Sequence, residues 1–238
     1  MSSNDDTMIL FFSLLAVLCQ VFLAGAIVLG MAGAVSPAMR TRRRATQRAL
    51  APLAAPFAFA VALVTMGGSL YLSEVKHYIP CHLCWIQRAL LYPQVIWAAV
   101  LTFKPQFRHV RRLAVAMLVI DVPVSTYHYF LQKYPSLETS SCSFANPCTQ
   151  RYIDRFHYLS EPLMALTAAL TILTLLLIQR GMSALELLLW AVTAGVTLCI
   201  LLFVGSDAWQ IAVLPVGVFI AVTLRDHLRG RDTPTAES

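Results

Sequence analysis

The chain has 238 residues, of which 58% are hydrophobic and only 13% charged, with a formal net charge of +6. A soluble domain carries about a quarter of its residues as charged groups. The low charge and the long uninterrupted apolar runs therefore exclude a water-soluble globular enzyme and predict an all-α polytopic membrane protein. The positive charge lies mostly between the apolar runs, where it marks topology rather than a nucleic-acid surface.

In chain order, Met8 to Val35 is apolar, uncharged and long enough to span. Asp5 and Asp6 precede it where a signal peptide would carry positive charge, so it reads as an uncleaved helix with its N-terminus outside. Arg40, Arg42, Arg43, Arg44 and Arg48 then form a basic inner loop. Leu53 to Leu72 is the second span, with Gly67 and Gly68 allowing close helix contact. A short outer loop, Glu74 to Pro80, leads to a third span from Trp85 to Phe103. Lys104, Arg108, Arg111 and Arg112 make a second basic inner loop before the fourth span, Leu113 to Leu131, which contains Asp121, Pro123 and His128.

Gln132 to Tyr158 is a long polar connection holding Cys142 and Cys148. Within it Tyr152, Ile153 and Phe156 have helical spacing beside Arg151 and Arg155, which predicts a short helix, either on the membrane surface or inside an ordinary loop. Leu159 to Ile178 is the fifth span, followed by a turn at Arg180 and Gly181, two further spans (Ala184 to Val204 and Ala208 to Leu224) and a polar tail expected to be disordered. Thirteen of the eighteen Lys and Arg residues fall in the expected inner segments. That bias puts the N-terminus outside, the C-terminus inside and all four loop cysteines on the outer side. There is no internal repeat and no phosphate-binding glycine loop.

Chemistry concentrates at Cys81-His82-Leu83-Cys84-Trp85-Ile86-Gln87-Arg88. On a helix, Cys81, Cys84 and Arg88 share a face, with Arg88 about 6 Å beyond Cys84 along the axis. Pro80 suits a helix start. A helix N-terminus and a nearby guanidinium both favour thiolate, the reactive form. This reads as a redox dithiol at the mouth of a membrane helix. Cys19 and Cys199 lie inside apolar runs and read as buried spectators. Cys142 and Cys148 supply a second pair on a loop that can meet a protein partner, while Cys81 and Cys84 sit where a membrane-soluble oxidant can reach them. A quinone fits that place, being apolar, two-electron and resident in the bilayer, and exchange through mixed disulfides would link the pairs. The competing reading, a non-enzymatic membrane protein, uses the four cysteines for a zinc site or for two disulfide staples. Arg88 and His128 lie at similar depth, about 6–8 Å below the outer surface. Both can donate to quinone oxygens, although His128 can equally bond a neighbouring helix. Asp121, deeper in the fourth span, is a functional candidate or else a protonated or helix-paired acid.

These residues resemble the DsbB/BdbC family of membrane disulfide-bond formation proteins. The similarity rests on Cys81-His-Leu-Cys84-Trp-Ile-Gln-Arg88 followed by Tyr92-Pro93, on Tyr127-His128-Tyr129, on Asn146-Pro147-Cys148 followed by Tyr152-Ile153, and on Glu161-Pro162. It covers roughly residues 55–180, and the Trp-Ile-Gln-Arg form is closer to the BdbC-like branch. The resemblance implies a four-helix redox core at 53–180, preceded by a transmembrane helix and basic loop at 1–52. A transmembrane hairpin and cytoplasmic tail follow at 181–238. It also implies a quinone-dependent enzyme of the bacterial inner membrane, using ubiquinone or menaquinone, that reoxidises a DsbA-like thioredoxin-fold thiol oxidase on the outer side. By position, Cys84 would stand nearest the quinone and Arg88 would assist it. Cys142 would exchange with the partner, Cys148 would resolve towards Cys81, and His128 would be a looser match at the quinone. Membrane lipid is the expected surroundings; neither nucleic acid nor a metal is expected. The extra N-terminal span, the two extra C-terminal spans and Asp121 depart from the family pattern.

Overall fold

A computed structural model describes residues 3–137 and 147–179. The two C-terminal spans, the tail, Cys142 and Cys199 lie outside the described residues. Six α-helices follow one another: α1 (Ser3–Val35), α2 (Pro37–Leu70), α3 (His82–Leu91), α4 (Pro93–Phe103), α5 (Arg108–Lys133) and α6 (Glu161–Gln179). The described residues contain no strand, only an isolated bridge between Arg155 and Leu159. The fold is thus all-α, and α1, α2, α5 and α6 are each long and apolar enough to cross a membrane.

The expected third span is divided. Pro93 has no N–H to give the preceding turn, so α3 ends at Leu91 and α4 starts at Pro93. Tyr92 keeps helical angles between them (φ −63°, ψ −41°), so the path continues in one direction. Other expectations are corrected, among them the second basic loop, since Arg108, Arg111 and Arg112 lie in the opening turns of α5. The basic stretch Arg40 to Arg48 is not a loop but the opening of α2, which starts with Pro37 in its first turn. Arg, Ala, Gln and Met are all good helix formers, and proline is tolerated at that position. The short helix expected around Tyr152 to Phe156 is also absent. Phe156 and His157 have positive φ values of 56° and 63°, and a chain reversing there cannot continue a helical turn.

α5 occupies the centre, packed against α3, α4 and α6, while α2 packs against α1, α4 and α6. Ala54, Ala58 and Ala62 recur every fourth residue and, with Ala55, give α2 a smooth buried stripe against the core. In lipid there is no hydrophobic drive between helices, so close backbone approach through small residues supplies the packing. α1 lies on the outside of this bundle, with Leu18, Val21 and Val28 exposed as a lipid-facing surface. Besides the ion pair of Asp6 with Arg155 at 3.0 Å, two contacts stand out in docking it. The expected close contact occurs at Gly68, where an added Cβ would stand 3.3 Å from the Phe12 ring; at Gly67 nothing lies within 4 Å. Gln20 bridges two elements: its Nε2 donates to Thr167 Oγ1 at 3.2 Å, and its Oε1 accepts from Tyr158 Oη at 2.9 Å.

Gly68→Leu should therefore push α1 away from α2, costing about 1–3 kcal/mol as an overpacked contact. Adding Phe12→Ala should recover part of the loss, which thermal unfolding in detergent measures. Equal losses in the single and double variants would place the strain elsewhere.

Candidate functional site

The outer end of α3 is built by its cap. Cys81 is the N-cap residue, with extended backbone (φ −72°, ψ 173°), and its Sγ accepts from the Cys84 N–H at 3.3 Å. Pro80 thus stands just before the cap instead of opening the first turn. Both thiols are free, and their sulfurs approach to 2.8 Å. The two nevertheless face different surroundings.

Cys84 opens, with Gln87, Arg88 and Tyr92, onto a mostly apolar cavity of about 610 Å³. Its remaining walls come mainly from α1, α2 and α6, with Tyr78 to Pro80 and Tyr152 to Ile153 at one end. The Arg88 guanidinium donates to the Ser69 carbonyl at 3.2 Å and stacks over Trp85, 5.3 Å from the ring centre. Tyr92 Oη donates to Ser69 Oγ at 3.1 Å, so α2 holds both polar side chains at the cavity wall. The sequence expectation that Cys84 and Arg88 share a face agrees with this placement.

Cys81 turns the other way. It is buried in a cluster with Leu83, Val124, Tyr127, Leu131 and Cys148. Cys148 is disulfide-bonded. His128 Nε2 lies 3.6 Å from Cys81 Sγ. His128 therefore sits beside the dithiol on the side away from the large cavity and does not share a wall with Arg88. Hydrogen bonding to Cys84, then to His128, holds the Cys81 thiol well below the ordinary thiol range, against the opposing effect of burial.

The segment after Cys148 is strapped over this end. Tyr152 stacks on Tyr78 at 4.4 Å and donates from its hydroxyl to the Ile79 carbonyl at 3.2 Å. Glu161, the first residue of α6, accepts from the Tyr152 and Ile153 N–H groups at 2.8 and 2.6 Å. Arg151 Nε donates to the Gln132 carbonyl at 3.1 Å, and Gln132 Nε2 donates to the Gln150 carbonyl at 2.9 Å. Glu161 thus has a local job that its place in the motif did not reveal. Gln87 and Ser125 were also missed; the available signal was a polar side chain in an apolar span next to Arg88, and another beside Asp121.

Three potential ligand atoms, from Cys81, Cys84 and His128, lie within 4.8 Å of one another. They make a poor zinc site. Two thiolates about 2.3 Å from one tetrahedral zinc stand roughly 3.8 Å apart, well beyond the 2.8 Å between these sulfurs. Cys148, being disulfide-bonded, offers no thiolate to complete a four-cysteine set.

The family profile described as "Disulfide bond formation protein DsbB" matches residues 51–161. "Disulfide bond formation protein C" of Bacillus subtilis is 38% identical over 122 residues, covering 51% of this chain and 88% of that protein. "Probable disulfide formation protein" of Oceanobacillus iheyensis is 39% identical over 122 residues, covering 50% of this chain and 83% of that protein. "Probable disulfide formation protein C" of Halalkalibacterium halodurans is 38% identical over 108 residues, covering 45% and 78% respectively. No solved structure matches the chain. With most of each relative's length accounted for, this chain belongs to the DsbB family of disulfide bond formation proteins.

Proposed function

We propose that the protein is a membrane thiol:disulfide oxidoreductase that takes electrons from a DsbA-like thioredoxin-fold partner and passes them to a membrane quinone. The observation that carries this reading is the division of the dithiol: Cys84 and Arg88 open onto a large apolar cavity while Cys81 is buried beside Cys148. A lipid-soluble acceptor and a protein disulfide can then be served from opposite sides of one CxxC.

In this reading Cys142 exchanges with the partner, Cys148 attacks Cys81, and Cys84 faces the acceptor. Arg88 supplies a cation at an apolar wall, suited to an oxygen that gains negative charge as electrons arrive. A quinone, when bound, accepts two electrons and two protons. The chain's own residues orient it, keep water out and present the thiols. The bias of Lys and Arg supports placing the cysteine loops outside a bacterial inner membrane. Ubiquinone and menaquinone both suit the cavity's chemistry.

α1 deepens the reading, because it lies outside residues 51–161 yet supplies Phe12, Leu15, Ala16 and Phe22 to the cavity wall. Its place is beside the apolar body of the cavity, where an isoprenoid tail would lie.

Three outcomes follow from these placements. Arg88→Ala removes a charged hydrogen-bond donor worth about 1.5–3 kcal/mol, so quinone efficiency should fall roughly 10- to 150-fold while partner binding holds. Unchanged steady-state quinone kinetics would remove Arg88 from the site. In Cys148→Ser, a partner attached at Cys142 cannot be released, so a reductant-sensitive covalent complex should accumulate on non-reducing gels. Capture at Cys81 instead would reverse the order. Ala16→Trp should raise the apparent KM for a long-tailed quinone roughly tenfold, since each buried CH2 lost costs about 0.8 kcal/mol, and should leave a tail-less benzoquinone unaffected. Equal effects on both acceptors would separate α1 from the tail.

A further inference from the structure

Behind Cys81 a chain of buried polar side chains runs between α3 and α5, and electron transfer as described above does not use it. His128 Nδ1 lies 3.3 Å from Gln87 Oε1. Gln87 Nε2 donates to Ser125 Oγ at 2.8 Å, and Ser125 Oγ donates to Asp121 Oδ2 at 3.1 Å. All four side chains are buried, Ser125 and Asp121 completely.

The direction of each bond is set by the next one. Asp121 Oδ1 has no partner among the described residues. Its Oδ2 accepts from Ser125 Oγ. Ser125 has a single hydroxyl proton and gives it to Asp121, so towards Gln87 it can only accept. The Gln87 amide must therefore turn its NH2 to Ser125 and its oxygen to His128. That oxygen only accepts, so His128 carries hydrogen on Nδ1. In the neutral ring, Nε2 then presents a lone pair to Cys81 Sγ at 3.6 Å.

We propose that His128 Nε2 is the general base for the Cys81 thiol, and that Gln87, Ser125 and Asp121 are positioning residues that fix the tautomer this requires. The proposal rests on reading Cys81 and Cys84 as the redox pair. His128 takes the Cys81 proton, and the Cys81 thiolate bonds to the Cys84 sulfur as the electron pair leaves to the quinone. Overall, two thiols and one quinone become one disulfide and one hydroquinone; both thiol protons end on the hydroquinone, and the imidazolium returns to its neutral form. The same base serves the reverse direction, protonating Cys81 when it is displaced as a leaving group.

The other titratable groups facing His128 are Cys81 and Cys84 from α3, Tyr152 from the strap and Glu161 from α6, which share a small cavity with it. Any pH profile contains their contributions, so variants are compared rather than one midpoint interpreted. The measurement is the initial rate of iodoacetamide alkylation at Cys81 against pH, resolved by peptide mass analysis, on the full reduced chain in detergent. It needs neither quinone nor partner, so its result stands apart from the turnover assays that test the redox reading. In His128→Leu, Gln87→Leu and Ser125→Ala the alkylation midpoint should rise by about one pH unit, roughly tenfold slower on the acid side of the midpoint. Gln87→Glu, whose carboxylate accepts from Nδ1 directly without the Ser125 bond, should keep the midpoint at or below that of the parent. Ser125→Ala removes one atom, so it tests the chain even where larger changes disturb folding. If Ser125→Ala and Gln87→Leu lower the melting temperature but leave the alkylation profile in place, the chain merely joins α3 to α5 and the proposal fails. A shift in His128→Leu alone overturns the positioning role.

Discussion

One hydrogen bond, from the Cys84 N–H to Cys81 Sγ, sets the geometry on which the rest of the site depends. An N-cap side chain must fold back over the first turn to meet an orphan backbone donor. Cys81 does this with sulfur in place of the usual oxygen. Its side chain is thereby committed to the α5 side of the helix, where His128 and Cys148 lie. Cys84, inside the first turn, is left to point along the α3 face shared with Arg88. Two thiols three residues apart thus acquire different neighbours, Cys81 a packed cluster with Cys148 and His128, Cys84 an apolar cavity wall that bears a cation.

The surroundings of that cap obey the rule that polar groups in a membrane must find partners inside the protein. Several polar side chains near the dithiol bond to another element of the structure. Arg88 and Tyr92 bond to Ser69 of α2, and Gln87 bonds to Ser125 of α5. Glu161 of α6 secures two backbone N–H groups of the strap. The outcome is a rigid frame in which three helices define the position of a fourth, short one. α3 needs that support, since it spans only ten residues before Pro93 interrupts it.

Much of this was legible in the sequence. Uninterrupted apolar runs gave the helices because a bilayer leaves the backbone no alternative, and the spacing of Cys81, Cys84 and Arg88 placed Cys84 and Arg88 on one cavity wall. What escaped was set by tertiary partners. Depth along the helix axis put Arg88 and His128 at one level, but depth says nothing about azimuth, and the two lie on opposite sides of the dithiol. The basic run after Ser36 looked like a loop because arginines mark membrane boundaries, yet nothing in their backbone preference ends a helix. The strap looked helical from the spacing of Tyr152, Ile153 and Phe156. Its shape is instead dictated by the carboxylate of Glu161 and the Tyr78 ring, neither adjacent in the chain. Asp121 stood out as an isolated acid; the direction it imposes on Ser125, Gln87 and His128 needs the contacts themselves.

The bridge at Gln20 has a consequence for the order in which the protein is made. Gln20 enters the bilayer with α1, but its partner Thr167 follows 147 residues later. At about 5–20 residues per second, a ribosome takes roughly 7–30 s to cover that interval. Throughout it, a primary amide sits in hydrocarbon without the Thr167 hydroxyl, while α1 already has α2 to pack against through Phe12 and Gly68. The part of the pocket wall that α1 shares with α6 is therefore completed only when α6 is made, although the α1 residues are the first to be synthesised. The contact of α1 with α6 thus joins the first helix of the chain to one made much later.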